Sequence, residues 1–357
     1  MTERAGQLAA GLADIGADLM VVTALVNVRY LTGYSGSNGL AVIGPDARVF
    51  ITDFRYAEQS AAEVDDTFDR RIAPLDLMEA ITEILPEGSP RVAFEDGHLT
   101  VRSHRRLREL IPDRIELVPA GDPVEALRTV KSPDEIARIR AATKLADAAL
   151  QEILAQGLTG RTEIEVAAAL EHAMGERGAR SASFDSIVAA GPHGALPHAR
   201  PRDERIGAGE LVVIDWGAEL DGYCSDCTRT VATGEIGDEA GAAYELVRQA
   251  QLAGLAAVRA GVGGREADSA ARAVIDAGGH GDHFGHGLGH GVGMEIHEAP
   301  RLSQRSDDVL RTGSVVTVEP GVYLPGRLGV RIEDLVVVTD SGCDILTSLP
   351  KELVTVG

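Results

Sequence analysis

ELVVIDWGAELDGYCSDCTRTVAT, residues 210–233, puts two carboxylates into strands that read as buried. LVVID is apolar at consecutive positions, so both faces of that strand should meet a core. Asp215 then sits where an ionised carboxylate is costly unless it is paired or bound to a cation. Asp226 follows on the next strand, after a turn at Asp221-Gly222. The arrangement recurs later: VVTVEPGVYL (315–324) carries Glu319 and GVRIEDLVVVT (329–339) carries Glu333. Any one of these acids could pair with an arginine or face solvent. Four in this placement point to a shared site.

The surroundings recur too. Ser132-Pro133-Asp134-Glu135 is a helix start, with Ser at the N-cap, Pro at the first helical position and Glu closing a capping box. Ile136, Ile139, Leu145, Ala149 and Ile153 continue it at helical spacing. Thr162-x-x-Glu165 opens a second helix ending near Gly178, and strands are expected at 186–191, 210–220 and 222–233. A second pair of helices, over 238–259 and 265–277, precedes the strands at 315–324 and 329–339. Asp215 and Glu319 are 104 residues apart, and Asp226 and Glu333 are 107 apart. This pattern predicts an internal duplication whose pseudo-two-fold brings four carboxylates to one point.

Before residue 128 the pattern differs. Helices are expected over 7–16 (Leu8, Leu12 and Ile15 on one face), 56–64, 75–85 and 100–111, and strands at 19–23, 48–53, 91–96 and 115–120. A Gly/Ser turn cluster in YLTGYSGSNGLAVIG (30–44) feeds a further strand, with a hairpin at Gly44-Pro45-Asp46. This is an α/β domain over 1–128, followed by an α+β domain over 129–357.

Composition narrows the class. The chain has 357 residues, 44% hydrophobic and 25% charged, as in an ordinary globular protein of about two domains. With 34 Lys+Arg against 55 Asp+Glu its net charge is −21, which repels nucleic acid and anionic lipid. No transmembrane run and no signal-peptide pattern is evident, and three cysteines fit a reducing compartment. A cytoplasmic protein without nucleic-acid or membrane partners is expected. Cys224-x-x-Cys227 reads as a strand with thiols on opposite faces, which argues against a redox or zinc pair. YSGSNG (34–39) lacks the Lys of a phosphate loop and reads as a turn.

The stretch GHGDHFGHGLGHGVGMEIHE (279–298) has neither His-Glu-x-x-His nor a dinucleotide fingerprint. Its glycines suit close backbone approach to a site, and His280, His283 and His286 read as turn or supporting residues.

At these residues the sequence resembles the pita-bread metallopeptidases: methionine aminopeptidases, aminopeptidase P and prolidase. Asp215, Asp226, His290, Glu319 and Glu333 match the family's five metal ligands in order. YLTGYSGSNGLAVI and ITDFRY resemble the creatinase-type N-terminal domain, which methionine aminopeptidases lack, so aminopeptidase P and prolidase are the nearer match. The resemblance implies a creatinase-N-like domain before a pita-bread domain, two divalent ions and a homodimer. Asp215 would chelate one ion, Asp226 and Glu333 would bridge both, and His290 and Glu319 would complete the shell. The carboxylate-rich set suits Mn²⁺, with Co²⁺, Zn²⁺ and Fe²⁺ as alternatives. It implies Glu319 as general base, His297 beside the scissile carbonyl, and His198 beside the proline ring. Arg301 and Tyr323 are candidates near the substrate termini. Arg331 is a candidate too, or a structural partner of a ligand carboxylate.

The function this implies is metal-dependent hydrolysis of Xaa-Pro bonds in small peptides. Arg301 offers a cation for a free carboxylate, which favours Xaa-Pro dipeptidase (prolidase) over an aminopeptidase P acting on longer peptides. A creatinase-like hydrolase works without metal and lacks the full ligand set. A non-catalytic binding module would have lost ligands. Both fit less well.

Overall fold

The computed structural model describes residues 2–74 and 76–357. It divides into two compact units, Met1–Arg128 and Thr129–Gly357. Among the described residues no helix is long and apolar enough to cross a membrane.

The first unit is a six-stranded mixed sheet in the order 69–73, 48–53, 40–43, 19–22, 91–94, 116–119. The expected hairpin joins Leu40–Ile43 to Arg48–Asp53, in antiparallel register. Leu19, Val42, Ile51 and Val92 are buried at its core with Leu107 of the following helix. The first helix spans Thr2–Gly11 rather than 7–16, because the chain turns over 12–16 into Gly16, whose φ is 66°. The helix expected over 75–85 is Leu77–Ile81, and Leu75 lies outside the described residues. The helix Leu25–Thr32 had no local start signal. Its cap arrives from a distant strand: Glu95 accepts the N–H groups of Thr23 and Ala24 at 2.6 and 2.8 Å.

The second unit contains the duplication. Both capping boxes form, opening Pro133–Ala155 and Glu163–Glu176. These helices precede antiparallel strands ordered Ile187–Ala190, Leu211–Trp216, Cys227–Ala232. Helices Asp238–Ala257 and Gly264–Ala277 precede strands ordered Gly289–Gly291, Val315–Val318, Asp334–Val338, again antiparallel. Trp216, fully buried, donates Nε1–H to the carbonyl of Ala146 at 2.9 Å and ties helix to sheet.

The halves meet where Cys227–Ala232 runs beside residues 331–334. Glu333 donates its N–H to the Thr228 carbonyl at 3.1 Å, and the Thr230 hydroxyl donates to the Arg331 carbonyl at 2.9 Å. The expected long strands are interrupted here. One breaks at Gly217, the next at Ser225-Asp226, the others at Glu319-Pro320 and Ile332-Glu333. A Cβ on Gly217 would run into the Ser225 carbonyl, and Pro320 has no N–H for a ladder. Three of the four acids thus lie at strand breaks, which turn their carboxylates toward the centre.

Below the junction, Arg229 binds Asp334 at 2.8 Å and the carbonyls of Leu349 and Pro350 at 2.8 and 2.9 Å. Both charged side chains are at most 4% exposed. Lys351 pairs with the same carboxylate at 2.8 Å, so removing Arg229 leaves Asp334 one cation but strands the carbonyls that Arg229 holds, at a cost of about 1–3 kcal/mol. We expect Arg229→Met to lose that much in urea unfolding of the intact chain. A loss under about 1 kcal/mol would show the pair to be dispensable.

Candidate metal centre

Asp215 stands near the end of one strand, and Asp226 just ahead of the next. Glu319 and Glu333 hold the matching places in the second half, and His290 lies in Gly289–Gly291. Ligand oxygens of Asp215, Asp226 and Glu333 all fall within 4.8 Å of one another. His290 joins them, with Nε2 at 3.5 Å from Asp226 Oδ2 and 3.3 Å from Glu319 Oε1. Its Nδ1 lies 3.1 Å from the Gly291 carbonyl, a contact that would keep a proton on Nδ1 and free the Nε2 lone pair once a cation binds.

The carboxylates are only half satisfied. Asp215 Oδ2 accepts from Arg331 at 2.7 Å, while its Oδ1 is buried without a partner. Glu333 Oε2 accepts from the Thr228 hydroxyl at 2.8 Å, while its Oε1 is likewise orphaned. Two unpaired buried carboxylate oxygens, on a cavity that His290 also lines, form a hard, oxygen-rich donor set, and a divalent cation fits it.

The electrostatics agree. Burial first, then the neighbouring carboxylates, push Asp226 and Glu333 well above the ordinary carboxylate range. Burial also raises Asp215, against the attraction of Arg331. Burial acts the same way on Glu319, but the hydrogen bond and charge of His290, with His286 and Arg331, outweigh it and hold that acid at about 2. Without a cation the cluster cannot keep all four acids ionised.

The acids open into a cavity of about 500 Å³. His198, His297 and Arg301 line it, as do the apolar Phe184, Ile187, Pro197 and Ile296. His297 packs edge-on to His290, 4.4 Å between ring centres. Loss of hydration, then the charges of His290 and Arg301, bring its pKa to about 4, so it is neutral at pH 7. The turn before His198 is locked from behind, where buried Glu163 takes the His193 ring at 2.9 Å and the Arg202 N–H at 2.9 Å.

Arg331 is the structural partner of a candidate ligand, bound to Asp215, and its Nε also donates to Thr228 at 2.9 Å. Tyr323 lies behind it, off the cavity wall, with its hydroxyl 2.9 Å from both Arg331 Nη1 and His286 Nε2. His286, which spacing left without a role, thus ends a chain of contacts running to Asp215. Arg200 also lines the cavity, and no motif marked it. Cys224 and Cys227 are free and buried in separate clusters. Burial pushes Cys224 up to about 12 and raises Cys227 well above the ordinary thiol range, which opposes thiolate chemistry.

Acids converging from a duplicated scaffold form a candidate metal centre. Residues 137–340 match the model of metallopeptidase family M24, and residues 4–130 match the creatinase/prolidase N-terminal domain. The chain belongs to metallopeptidase family M24, a metal-dependent peptidase family. It is 46% identical to the uncharacterized peptidase YqhT of Bacillus subtilis, over 96% of each chain. It is 37% identical to an Xaa-Pro dipeptidase of Pyrococcus furiosus, over 99% of this chain and 100% of that one. Among solved structures, an Xaa-Pro dipeptidase from Bacillus anthracis superposes with a TM-score of 0.96 at 40% identity, covering 99% of both chains. An X-Pro aminopeptidase from Thermotoga maritima gives 0.90 at 37% identity, covering 96% of this chain and 99% of that one.

The raised acids set a pH dependence. Above the ordinary values of 3.8 and 4.5, metal-free folded Asp226 and Glu333 hold protons that the unfolded chain has released. The folded state then binds more protons at these two sites, so their contribution to metal-free stability falls as pH rises. Glu319, depressed, already contributes fully above pH 4.5 and adds no slope there. A cation that replaces those protons should therefore raise the thermal midpoint by several degrees more at pH 8 than at pH 5.5. Scanning calorimetry of stripped and reloaded protein checks this, and an equal or reversed gain would refute it.

Proposed function

We propose that the chain hydrolyses Xaa-Pro dipeptides, as a prolidase, with two divalent ions held by Asp215, Asp226, His290, Glu319 and Glu333. The observation that carries this reading is the pair of orphaned oxygens on Asp215 and Glu333, two residues that line a peptide-sized cavity together with His290. The printed names of the relatives support the substrate class. Mn²⁺ is the first candidate, because the donor set is mostly carboxylate with a single imidazole.

The ions, when bound, would activate a water and polarise the scissile carbonyl. The remaining roles fall to side chains of this chain. Glu319 takes the proton of the attacking water and delivers it to the proline nitrogen as the C–N bond breaks. Neutral His297 donates a ring N–H to the carbonyl oxygen as negative charge develops there. His198 and the apolar wall flank the proline ring. The Xaa-Pro bond is a tertiary amide without N–H, so no contact to that hydrogen is needed. Arg331 and Tyr323 position Asp215 rather than touch substrate. Arg301 meets the free carboxylate of the dipeptide.

A second reading, aminopeptidase P, is favoured by the likeness to the Thermotoga maritima enzyme. The two part at Arg301. A charge-assisted contact to the product-side carboxylate is worth about 1.5–3 kcal/mol. Arg301→Ala should therefore lower kcat/KM on an Xaa-Pro dipeptide by about 10- to 100-fold and leave an Xaa-Pro-Yaa tripeptide little changed. Equal losses on both would favour the aminopeptidase. A wild-type enzyme that cuts neither, with Mn²⁺, Co²⁺, Zn²⁺ or Fe²⁺, would end the Xaa-Pro reading. His297→Ala should lower kcat about 10²- to 10³-fold with metal content unchanged. Wild-type turnover in that variant would remove His297 from the reaction. The resemblance extends this proposal to a cytoplasmic homodimer without nucleic-acid or membrane partners.

A further inference from the structure

One histidine pair lies outside the acidic centre. The short turn Gly281–His283 follows the Gly264–Ala277 helix and leads into the segment carrying His286 and His290. Nδ1 of His280 and Nδ1 of His283 share a hydrogen bond at 3.3 Å, with 5.3 Å between ring centres, and an ion held between them would take the place of its proton. Two nitrogens bound at about 2.0–2.1 Å to one tetrahedral ion stand about 3.3–3.4 Å apart. Both rings are half-buried, so they are held in place yet reachable. The Asp276 carboxylate fills the space that a Cβ on Gly281 would need, and Asp282 lies between the two histidines in sequence. The turn therefore combines facing imidazoles with local negative charge. Imidazole pairs select borderline ions over the hard ions that suit a carboxylate cluster.

We propose that His280 and His283 form a second metal site, taking a borderline divalent transition ion such as Cu²⁺ or Zn²⁺, with water completing its shell. The site has a route to the cavity. Phe284, next in the turn, is buried with its ring edge-on to His286 at 5.0 Å. Arg272 donates to the carbonyls of both residues at 2.8 Å. An ion that stiffens the turn therefore acts on the wall of the catalytic cavity through Phe284 and His286.

The test adds Cu²⁺ to the Mn²⁺-loaded protein and follows it by electron paramagnetic resonance. We expect one bound equivalent with nitrogen hyperfine structure and no release of aqueous Mn²⁺, whose six-line signal reports displacement. His280→Gln and His283→Gln should each lose that equivalent while keeping the circular dichroism spectrum and Mn²⁺ content of the wild type. No Cu²⁺ uptake, uptake matched by Mn²⁺ release, or uptake unchanged in both variants would each overturn the site. The readout is occupancy, so it is independent of whether the protein cleaves Xaa-Pro bonds.

Discussion

Mutual repulsion among four converging carboxylates, two buried and two half-buried, is the constraint on which the catalytic unit depends. Like charges this close raise one another's proton affinity, and burial raises it further. Arg331 offsets part of this at Asp215, and Thr228 satisfies one oxygen of Glu333. Two buried oxygens remain unpaired. A cation is the economical remedy, and the rest of the unit keeps the acids from moving apart before it arrives. Antiparallel sheets of equivalent order hold one acid pair each, and the Arg229–Asp334 pair clamps the junction from below.

The same constraint explains the shape of the strands. A continuous strand would spread its acids along a ladder and alternate their faces. Breaks at Ser225-Asp226, Glu319-Pro320 and Ile332-Glu333 let carboxylates turn inward while the flanking residues stay paired. Pro320 and Gly217 are local means to that end, one removing a donor and the other admitting a neighbouring carbonyl.

Much of this was legible because it is local or periodic. The capping boxes at Ser132 and Thr162 are short-range chemistry, and both form. The 104- and 107-residue offsets between the acids survive because the two halves must converge on one point. What stayed hidden is long-range. The Leu25–Thr32 helix takes its cap from Glu95, about seventy residues on. The link from His286 through Tyr323 and Arg331 to Asp215 joins four separate segments. Arg200 reaches the cavity wall with no motif to mark it. Of the three arginines on that wall, Arg331 is held by Asp215, while Arg200 and Arg301, in a chain of net charge −21, would orient an anionic substrate end where the overall field repels it.

The central claim is that these acids hold a pair of ions. Anomalous diffraction from crystals grown with Mn²⁺, collected on both sides of the manganese edge, addresses it directly. The account predicts two peaks about 3.5–4 Å apart, enclosed by Asp215, Asp226, His290, Glu319 and Glu333. No peak among those five side chains, at saturating Mn²⁺, would contradict it.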